Sequence, residues 1–198
     1  MKHFWDERYR APEYAYGTEP NLYFKEKLEQ FTPGHILLPG EGEGRNAVWA
    51  AQQGWKVTAV DFSTAGRRKA MQLARKNAVQ LDYRVESFHD AALEPESFDA
   101  AGVIFFHLPA LFMERAFAKI TESLKPGGVL IAELYSAAQL GRASGGPQSP
   151  ELLYTPEQLE NWLSGYSFSE LEPVETELSE GRFHQGKASV LRVLAHKM

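Results

Sequence analysis

Three glycines stand within five residues in the segment Gly40–Gly44 (GEGEG), between a short apolar run and a helical pattern. The apolar run, residues 35–38, is typical of a strand that is buried on both faces of a parallel sheet. Glycines let the backbone of such a turn approach a ligand closely, and the N-terminus of the next helix presents free N–H groups. Because three glycines also cost backbone entropy on folding, the segment predicts a ligand-binding turn.

The same alternation of strand and helix continues through the first 135 residues. Strands are predicted at 35–38, 56–61, 81–86, 98–105 and 129–134, and helices at 46–53, 63–78 and 109–124. A turn at Lys125–Gly128 is expected to precede the fifth strand. Alternating elements of this kind predict one α/β domain, a Rossmann-like parallel sheet with helices on both faces.

The two ends of the chain differ from this central part. Residues 1–30 are rich in aromatic side chains and are expected to form a lid or helix, with a helical segment at 21–31. The pattern over 136–198 predicts a Gly/Ser/Pro-rich loop followed by a short helix capped by Thr155 and Gln158. An antiparallel pair of strands is expected to follow, at 167–178 and 187–196. The prediction is therefore a single domain over 1–198, with a cofactor-binding core at 35–135.

Composition excludes several classes of function. The chain of 198 residues has no cysteine, which rules out disulfides, cysteine-ligated metals and a cysteine nucleophile. Its formal net charge of -5 argues against a nucleic-acid partner. We found no secretory leader and no apolar run long enough to span a bilayer, so we expect a cytoplasmic protein without a membrane partner. The sequence does not indicate the oligomeric state.

Asp61 narrows the class of ligand. It ends the second strand about 20 residues after the glycine turn, where an acid can hydrogen-bond a ribose diol. Two classes of cofactor use this arrangement: dinucleotides and S-adenosylmethionine. From Gly42 onward the sequence also satisfies the dinucleotide pattern G-x-G-x-x-A. Glu41 and Glu43 disfavour a pyrophosphate, whereas the cationic S-adenosylmethionine tolerates them. A nicotinamide-dependent oxidoreductase and a non-catalytic S-adenosylmethionine-binding protein remain the alternatives.

At this point the chain resembles the class I S-adenosylmethionine-dependent methyltransferases, and among them the small bacterial tellurite-resistance-type branch. The resemblance covers nearly the whole chain and rests on motifs in a fixed order. They are the glycine turn with Arg45-Asn46, Val60-Asp61-Phe62-Ser63, Ser97-Phe98-Asp99, Leu124-Lys125-Pro126-Gly127-Gly128, the opening WDERY at 5–9 with Tyr16-Gly17, and HQGK at 184–187.

The resemblance implies a seven-stranded sheet in the order 3-2-1-4-5-7-6 with the last strand antiparallel. It implies a transferase that moves a methyl group in line from S-adenosylmethionine to a small-molecule acceptor and leaves S-adenosylhomocysteine. Two positions depart from the family pattern, because Leu38 and Phe88 stand where many members carry an acid or an amide. The implied cofactor-binding residues are Tyr16, Gly40, Glu41, Gly42, Gly44, Asn46, Asp61, Phe62, Ser87, Phe88 and Phe105.

Two histidines are candidates for a general base. His107 follows the fourth strand at the edge where the sulfonium would lie, and His184 lies between the last two strands. We expect no metal, because no group of His and acidic residues has metal-ligand spacing. The acceptor cannot be read from the sequence; tellurite is a candidate by resemblance only. The loop at 136–155 and the N-terminus are where acceptor selectivity is expected to reside.

Overall fold

The structure is a computed structural model, and it describes residues 2–198. One 3-10 turn, Ala137–Gln139, follows the fifth strand, and another, Pro150–Leu152, precedes the last helix. In chain order the helices and strands are α1 Lys2–Arg10, α2 Leu22–Leu28, β1 His35–Pro39, α3 Arg45–Gln52, β2 Lys56–Asp61, α4 Thr64–Lys76, β3 Asp82–Val85, β4 Phe98–Ile104, α5 Ala110–Ser123, β5 Leu124–Tyr135, α6 Pro156–Trp162, β6 Tyr166–Glu180 and β7 His184–Lys197.

The seven strands form one sheet in the order β3-β2-β1-β4-β5-β7-β6, which confirms the predicted topology. Strands β1 to β5 run parallel to one another. Strand β7 pairs antiparallel with both β5 and β6, and β6 and β7 form a long hairpin. The carboxyl ends of the parallel strands therefore share one edge of the sheet, the edge at which open α/β sheets bind ligands.

Side chains of the central strands are buried on both faces of the sheet. In β1, Ile36 and Leu38 pack with Phe24 and Trp49 on the face covered by α2 and α3. Leu37, between them, points to the opposite face and joins the cluster of α5 and α6. This alternation is the period-two pattern of a strand with a core on each side, and it explains why the run reads as continuously apolar.

Local signals at the helix ends were confirmed, and one expectation about a turn was wrong. Thr155 and Gln158 form the predicted capping box of α6, and Ser63 caps α4 by accepting from the Gly66 N–H at 3.0 Å. The predicted turn at 125–128 instead lies within β5, as an irregularity between the pairs that β5 makes with β4. Within the N-terminal segment that was expected to form a lid or helix, the structure has α1, whose bounds no clean helical period in the sequence marked.

The glycine turn brings α3 and α4 close together. Gly44 caps α3 with φ of 87°, a left-handed conformation that side chains disfavour. A Cβ atom at Gly44 would lie 2.5 Å from the Cβ of Ala70 in α4. The turn is therefore closed by backbone packing, and the first turn of α3 is fixed against the sheet edge. Among residues 2–198, no helix is both long and apolar enough to cross a membrane.

We expect Gly44→Ala to destabilise the protein by roughly 3 kcal/mol, from the left-handed backbone and from overpacking against Ala70. Gly127→Ala is the matched control, since Gly127 also has a positive φ of 75° but no atom within 4 Å of its added Cβ. This control substitution should lower the free energy of unfolding by only about 1 kcal/mol. Urea unfolding of both variants measures the difference, and equal losses would contradict the close approach of the two helices.

Candidate functional site

A cavity of about 670 Å³ opens at the carboxyl edge of the sheet. Its floor is formed by the residues that follow β1, β2, β3 and β4, and its roof by α1, the loop at 143–149 and the turn between β6 and β7. Ligand sites in proteins generally range from about 300 to 1,000 Å³. The cavity is thus large enough for one extended ligand and a second small molecule beside it.

Glu41 occupies the N-terminus of α3 with its own carboxylate. Its Oε1 accepts a hydrogen bond from the Ala47 N–H at 2.7 Å. Burial raises the pKa of this carboxyl to about 7, and the hydrogen bond to Ala47 and the charge of Arg45 oppose the shift. The donor groups that a phosphate would use at this helix end already serve a protein anion.

Glu43, the second acid of the turn, also borders the cavity, but other groups of the protein engage its carboxylate. Its carboxylate is buried and pairs with Lys69 of α4, with 2.6 Å between Oε1 and Nζ. Its Oε2 accepts from the Ala15 N–H at 2.7 Å. Glu43 therefore ties the segment after α1 to the glycine turn, a structural role that we did not predict.

Asp61 lies at the end of β2, next to the glycine turn. Its Oδ2 accepts from the Gly42 N–H at 3.0 Å and its Oδ1 from the Ser63 N–H at 2.7 Å. Burial raises the pKa of Asp61 to about 6, against the lowering effect of these two hydrogen bonds. The two N–H donors fix the carboxylate at the cavity wall, where its remaining lone pairs can accept from a hydroxyl pair.

Aromatic rings line the cavity on both sides of this carboxylate. Phe62 follows Asp61, and Phe88 is buried after β3 with its ring edge-on to Phe106. The carbonyl oxygens of Phe88 and His89 both accept from the Lys119 ammonium, at 3.1 and 2.6 Å. Apolar faces and backbone groups, rather than an acid or amide side chain, are therefore present at this end of the cavity.

Most of the predicted site residues come together around the cavity. Phe105 is held in a left-handed conformation, with φ of 49°, directly after β4. Gly42, Gly44 and Ser87 are absent from the wall, because the two glycines pack against neighbouring elements and Ser87 begins a local turn. The predicted residues in the wall are Tyr16, Gly40, Glu41, Asn46, Asp61, Phe62, Phe88, Phe105, His107 and His184.

His107 is locked by the backbone. Its Nδ1 donates to the Leu152 carbonyl at 2.8 Å, and its Nε2 accepts from the Tyr135 N–H at 3.2 Å. Its ring stacks on Tyr154, and burial lowers its pKa to about 4. With both nitrogens engaged, the ring has no lone pair left for a substrate proton, so the geometry does not support the predicted role of general base.

His184 has a different environment at the start of β7. Its Nδ1 donates to Oε2 of Glu180 at 3.3 Å, and the ring lies 4.4 Å from that of Tyr16 and 4.6 Å from that of Phe105. Burial lowers its pKa, and the Glu180 hydrogen bond opposes the shift. Its Nε2 has no hydrogen-bond partner within the described part of the chain, so a neutral His184 has a lone pair for a ligand at the cavity.

Glu180 connects His184 to the rest of the site. Its Oε2 also accepts from Arg45 at 2.8 Å, and its Oε1 accepts from the Asn21 side chain at 2.9 Å. Asn21 in turn donates to Glu133 of β5 at 2.5 Å. Although burial alone would raise it, the pKa of Glu180 falls to about 2, because His184 and Arg45 stabilise its ionised form.

Several cavity residues were missed by sequence reasoning. Tyr135, the last residue of β5, lies one position beyond the predicted strand end, so the strand signal located its position but not its role. Its hydroxyl is buried and has no hydrogen-bond partner among residues 2–198. Phe4, Arg182 and Phe183 also line the cavity, and no motif marks them. Trp5, Arg8 and Tyr9 lie in the WDERY motif of the N-terminal segment, and none of the three was predicted as an individual site residue.

Comparison with known proteins identifies the central part of the chain. Residues 36–128 match the family model described as a methyltransferase domain. The chain is 39% identical over 103 residues to a ubiquinone biosynthesis O-methyltransferase of Xanthomonas campestris pv. campestris (strain B100), a match that covers 50% of this chain and 42% of that protein. The match thus spans less than half the length of this curated relative.

Two solved structures share the whole architecture. TehB from Haemophilus influenzae aligns with a TM-score of 0.74 at 14% identity, over 100% of this chain and 67% of its own. A SAM-dependent methyltransferase from Methanosarcina mazei aligns with a TM-score of 0.70 at 18% identity, over 91% of this chain and 99% of its own. At such identities the likeness establishes the fold. The family match identifies residues 36–128 as a methyltransferase domain, and the strand order and these two structures support the fold of class I S-adenosylmethionine-dependent methyltransferases for the chain.

Proposed function

We propose that the protein transfers a methyl group from S-adenosylmethionine to a small-molecule acceptor. The observation that carries this proposal is the charge of the cavity beside the glycine turn, where Glu41 and Asp61 both line the wall. S-adenosylmethionine has a sulfonium and an ammonium group and no phosphate. A wall with two carboxyl groups suits such a cation, because a bound positive charge lowers the raised pKa of both groups and favours their ionised forms.

The same observation argues against a dinucleotide. Pyrophosphate binding relies on free N–H groups at the N-terminus of the helix after the glycine turn. Here the Ala47 N–H donates to Glu41 and the Gly42 N–H donates to Asp61. A pyrophosphate would have to displace both carboxylates or lie against them, and either costs free energy through lost hydrogen bonds or like-charge repulsion.

Each part of S-adenosylmethionine has suitable residues in the cavity. Asp61 would accept from the ribose hydroxyls, and the rings of Phe62 and Phe88 would enclose the adenine. Glu41 and the backbone of Gly40 would lie nearest the amino-acid end. Because Lys119 already donates to the carbonyl oxygens of Phe88 and His89, shape and apolar contact would contribute most of the adenine recognition.

When bound, S-adenosylmethionine supplies an activated methyl group, so positioning supplies most of the catalysis. The aromatic residues of α1 and the β6–β7 turn close the cavity from above, with Trp5 stacked on Tyr9 at 5.5 Å. We propose that this N-terminal segment acts as a lid that excludes water. Since the charge of the sulfonium is lost during transfer, a dry site favours the transition state.

We propose His184 as the general base for an acceptor that carries a proton. Its neutral Nε2 would take the proton as the new bond to the methyl carbon forms, and the carbon–sulfur bond breaks with its electron pair left on sulfur. Glu180 would act as a positioning residue: it holds the Nδ1–H and stabilises the imidazolium that results. The lowered pKa of His184 keeps the base unprotonated at neutral pH.

Calorimetry against S-adenosylhomocysteine and NAD tests the cofactor assignment. We expect the wild-type protein to bind the first and not the second. Asp61→Asn should weaken the binding free energy of S-adenosylhomocysteine by roughly 1–3 kcal/mol, since a charge-assisted hydrogen bond to the ribose is lost. Asp82→Asn is the control, because Asp82 is a half-exposed carboxylate at the start of β3. Binding of NAD alone would refute the proposal, and an unchanged dissociation constant for Asp61→Asn would refute the role of Asp61.

Turnover is tested with a labelled methyl donor and a panel of thiols, phenols, amines, carboxylates and metalloid oxyanions. We expect at least one acceptor to be methylated. With that acceptor, His184→Gln should lower kcat by about 10²-fold or more while leaving S-adenosylhomocysteine affinity unchanged. Absence of turnover across the panel, with the cofactor bound, would indicate a non-catalytic binding protein.

The pH dependence separates a base from a structural histidine. The profile is measured as kcat at saturating S-adenosylmethionine, so that the titrations of Glu41 and Asp61 in the donor site do not enter it. Because the pKa of His184 lies below its ordinary value, this kcat should be constant at neutral pH and fall as the pH drops through that lowered pKa. Glu180→Gln removes a carboxylate that favours the imidazolium form of His184, so the pKa of His184 falls further. The acidic limb of the pH–activity profile should therefore move to lower pH, by roughly one unit. NMR titration of the histidine in the S-adenosylhomocysteine complex gives the same pKa without an acceptor. A limb that does not move would contradict the positioning role.

A further inference from the structure

Arg8 of α1 lies at the mouth of the cavity inside a box of aromatic rings. Its guanidinium carbon is 4.3 Å from the centre of the Phe183 ring, 4.6 Å from that of Phe4 and 5.5 Å from that of Trp5. The only hydrogen bond of this side chain within residues 2–198 runs to the Tyr16 hydroxyl, at 2.8 Å. The cation is therefore held in one orientation with most of its donors unused.

No carboxylate of the described chain forms an ion pair with Arg8. Its helix neighbour Arg10 pairs with Glu7 at 2.7 Å, and the deeper Arg45 pairs with Glu180 at 2.8 Å. A guanidinium flanked by apolar rings has lost part of its hydration, and a bound anion offsets that cost with charge-assisted hydrogen bonds. Aromatic rings surround Arg8, but no anionic group of the described chain pairs with it.

A second arginine strengthens this argument. Arg182, in the turn between β6 and β7, also lines the cavity, and its guanidinium carbon lies 5.5 Å from the centre of the same Phe183 ring. Arg182 is exposed at the cavity opening, and it forms no ion pair with a carboxylate within residues 2–198. Two like charges that share one ring repel each other, and an anion between them removes that repulsion.

The position of Arg8 and Arg182 relative to His184 limits the kind of ligand that the cavity can bind. Tyr16 accepts from Arg8 through its hydroxyl, and its ring lies 4.4 Å from the ring of His184. An anchored ligand would therefore extend along Tyr16 toward the proposed base. The wall beyond Tyr16 is again aromatic, with Tyr135 and Phe105 stacked at 4.6 Å.

We propose that the methyl acceptor is a small aromatic carboxylate, held by Arg8 and Arg182 through its anionic group and by the rings along the cavity through its apolar body. The proposal rests on the proposed function for the statement that this ligand is methylated. The binding site itself stands on the two unpaired cations and the rings around them.

The test uses full-length protein, with and without saturating S-adenosylhomocysteine. The probes are 4-hydroxyphenylacetate and benzoate, each paired with its neutral amide, and binding is measured by ligand-observed NMR and calorimetry. We expect each carboxylate to bind about tenfold or more tighter than its amide, and acetate to bind more weakly than benzoate. Arg8→Gln should reduce the preference for carboxylate to about twofold or less, with S-adenosylhomocysteine affinity retained.

Arg10→Gln is the matched control, because Arg10 lies on the same helix but is exposed and already paired. It should keep the wild-type preference. Equal binding of carboxylate and amide, a preference that survives Arg8→Gln, or no measurable binding of either carboxylate would overturn the inference. A failure of the proposed function is distinguishable, since it would appear as absence of S-adenosylhomocysteine binding while the carboxylate preference is still measured in the unliganded protein.

Discussion

The carboxylate of Glu180 lies at the meeting point of elements that are far apart along the chain. It accepts from Arg45 at the start of α3, from Asn21 at the start of α2 and from His184 at the start of β7. Asn21 carries the connection on to Glu133, which also binds Arg192 at 2.9 Å. Removing one partner from a buried pair of this kind typically costs about 3–5 kcal/mol, since it leaves the other charge uncompensated. The carboxylate of Glu180 therefore connects the hairpin tip to the glycine turn and to the start of α2.

A second set of contacts joins the same parts through the backbone. The Ala15 N–H donates to Glu43, and the Ala15 carbonyl accepts from the Arg182 N–H at 2.9 Å. Gly181 packs so closely on Tyr16 and Gly17 that a side chain would not fit. The roof of the cavity is thus attached to the glycine turn on one side and to the hairpin on the other. This double attachment gives the segment after α1 a defined place, and Asp6 fixes α1 itself by accepting from the Ser63 hydroxyl and the Ala65 N–H.

The parts of the fold that the sequence predicted are those with local signals. Short apolar runs, glycine turns and capping residues such as Thr155 are interpretable within a few positions, and they located the parallel core and the position of Asp61. The partners of the buried charged residues, in contrast, have no local signal in the sequence. Glu43 was assigned to the ligand side of the turn and instead pairs with Lys69, and Glu180 meets Arg45 across 135 positions of sequence. No spacing rule predicts such pairs, because only the assembled fold brings them together.

The histidines illustrate the same limit. His107 and His184 were equivalent candidates in the sequence, both placed near the carboxyl edge of the sheet. What separates them is which groups reach their two nitrogens: backbone groups engage both nitrogens of His107, whereas Glu180 engages only Nδ1 of His184. The difference depends on Leu152, in the 3-10 turn before α6, and on the hairpin register, and neither has a local signature in the sequence.

The acids and the arginines that line the cavity are compensated in different ways. The acids near the glycine turn, Glu41 and Asp61, accept from backbone N–H groups, which leave their charge open to a cationic ligand. Arg8 and Arg182 lie against aromatic rings, which leave their charge open to an anion. A cationic donor and an anionic acceptor would each find groups of complementary charge, so electrostatics would contribute to orienting the two reactants.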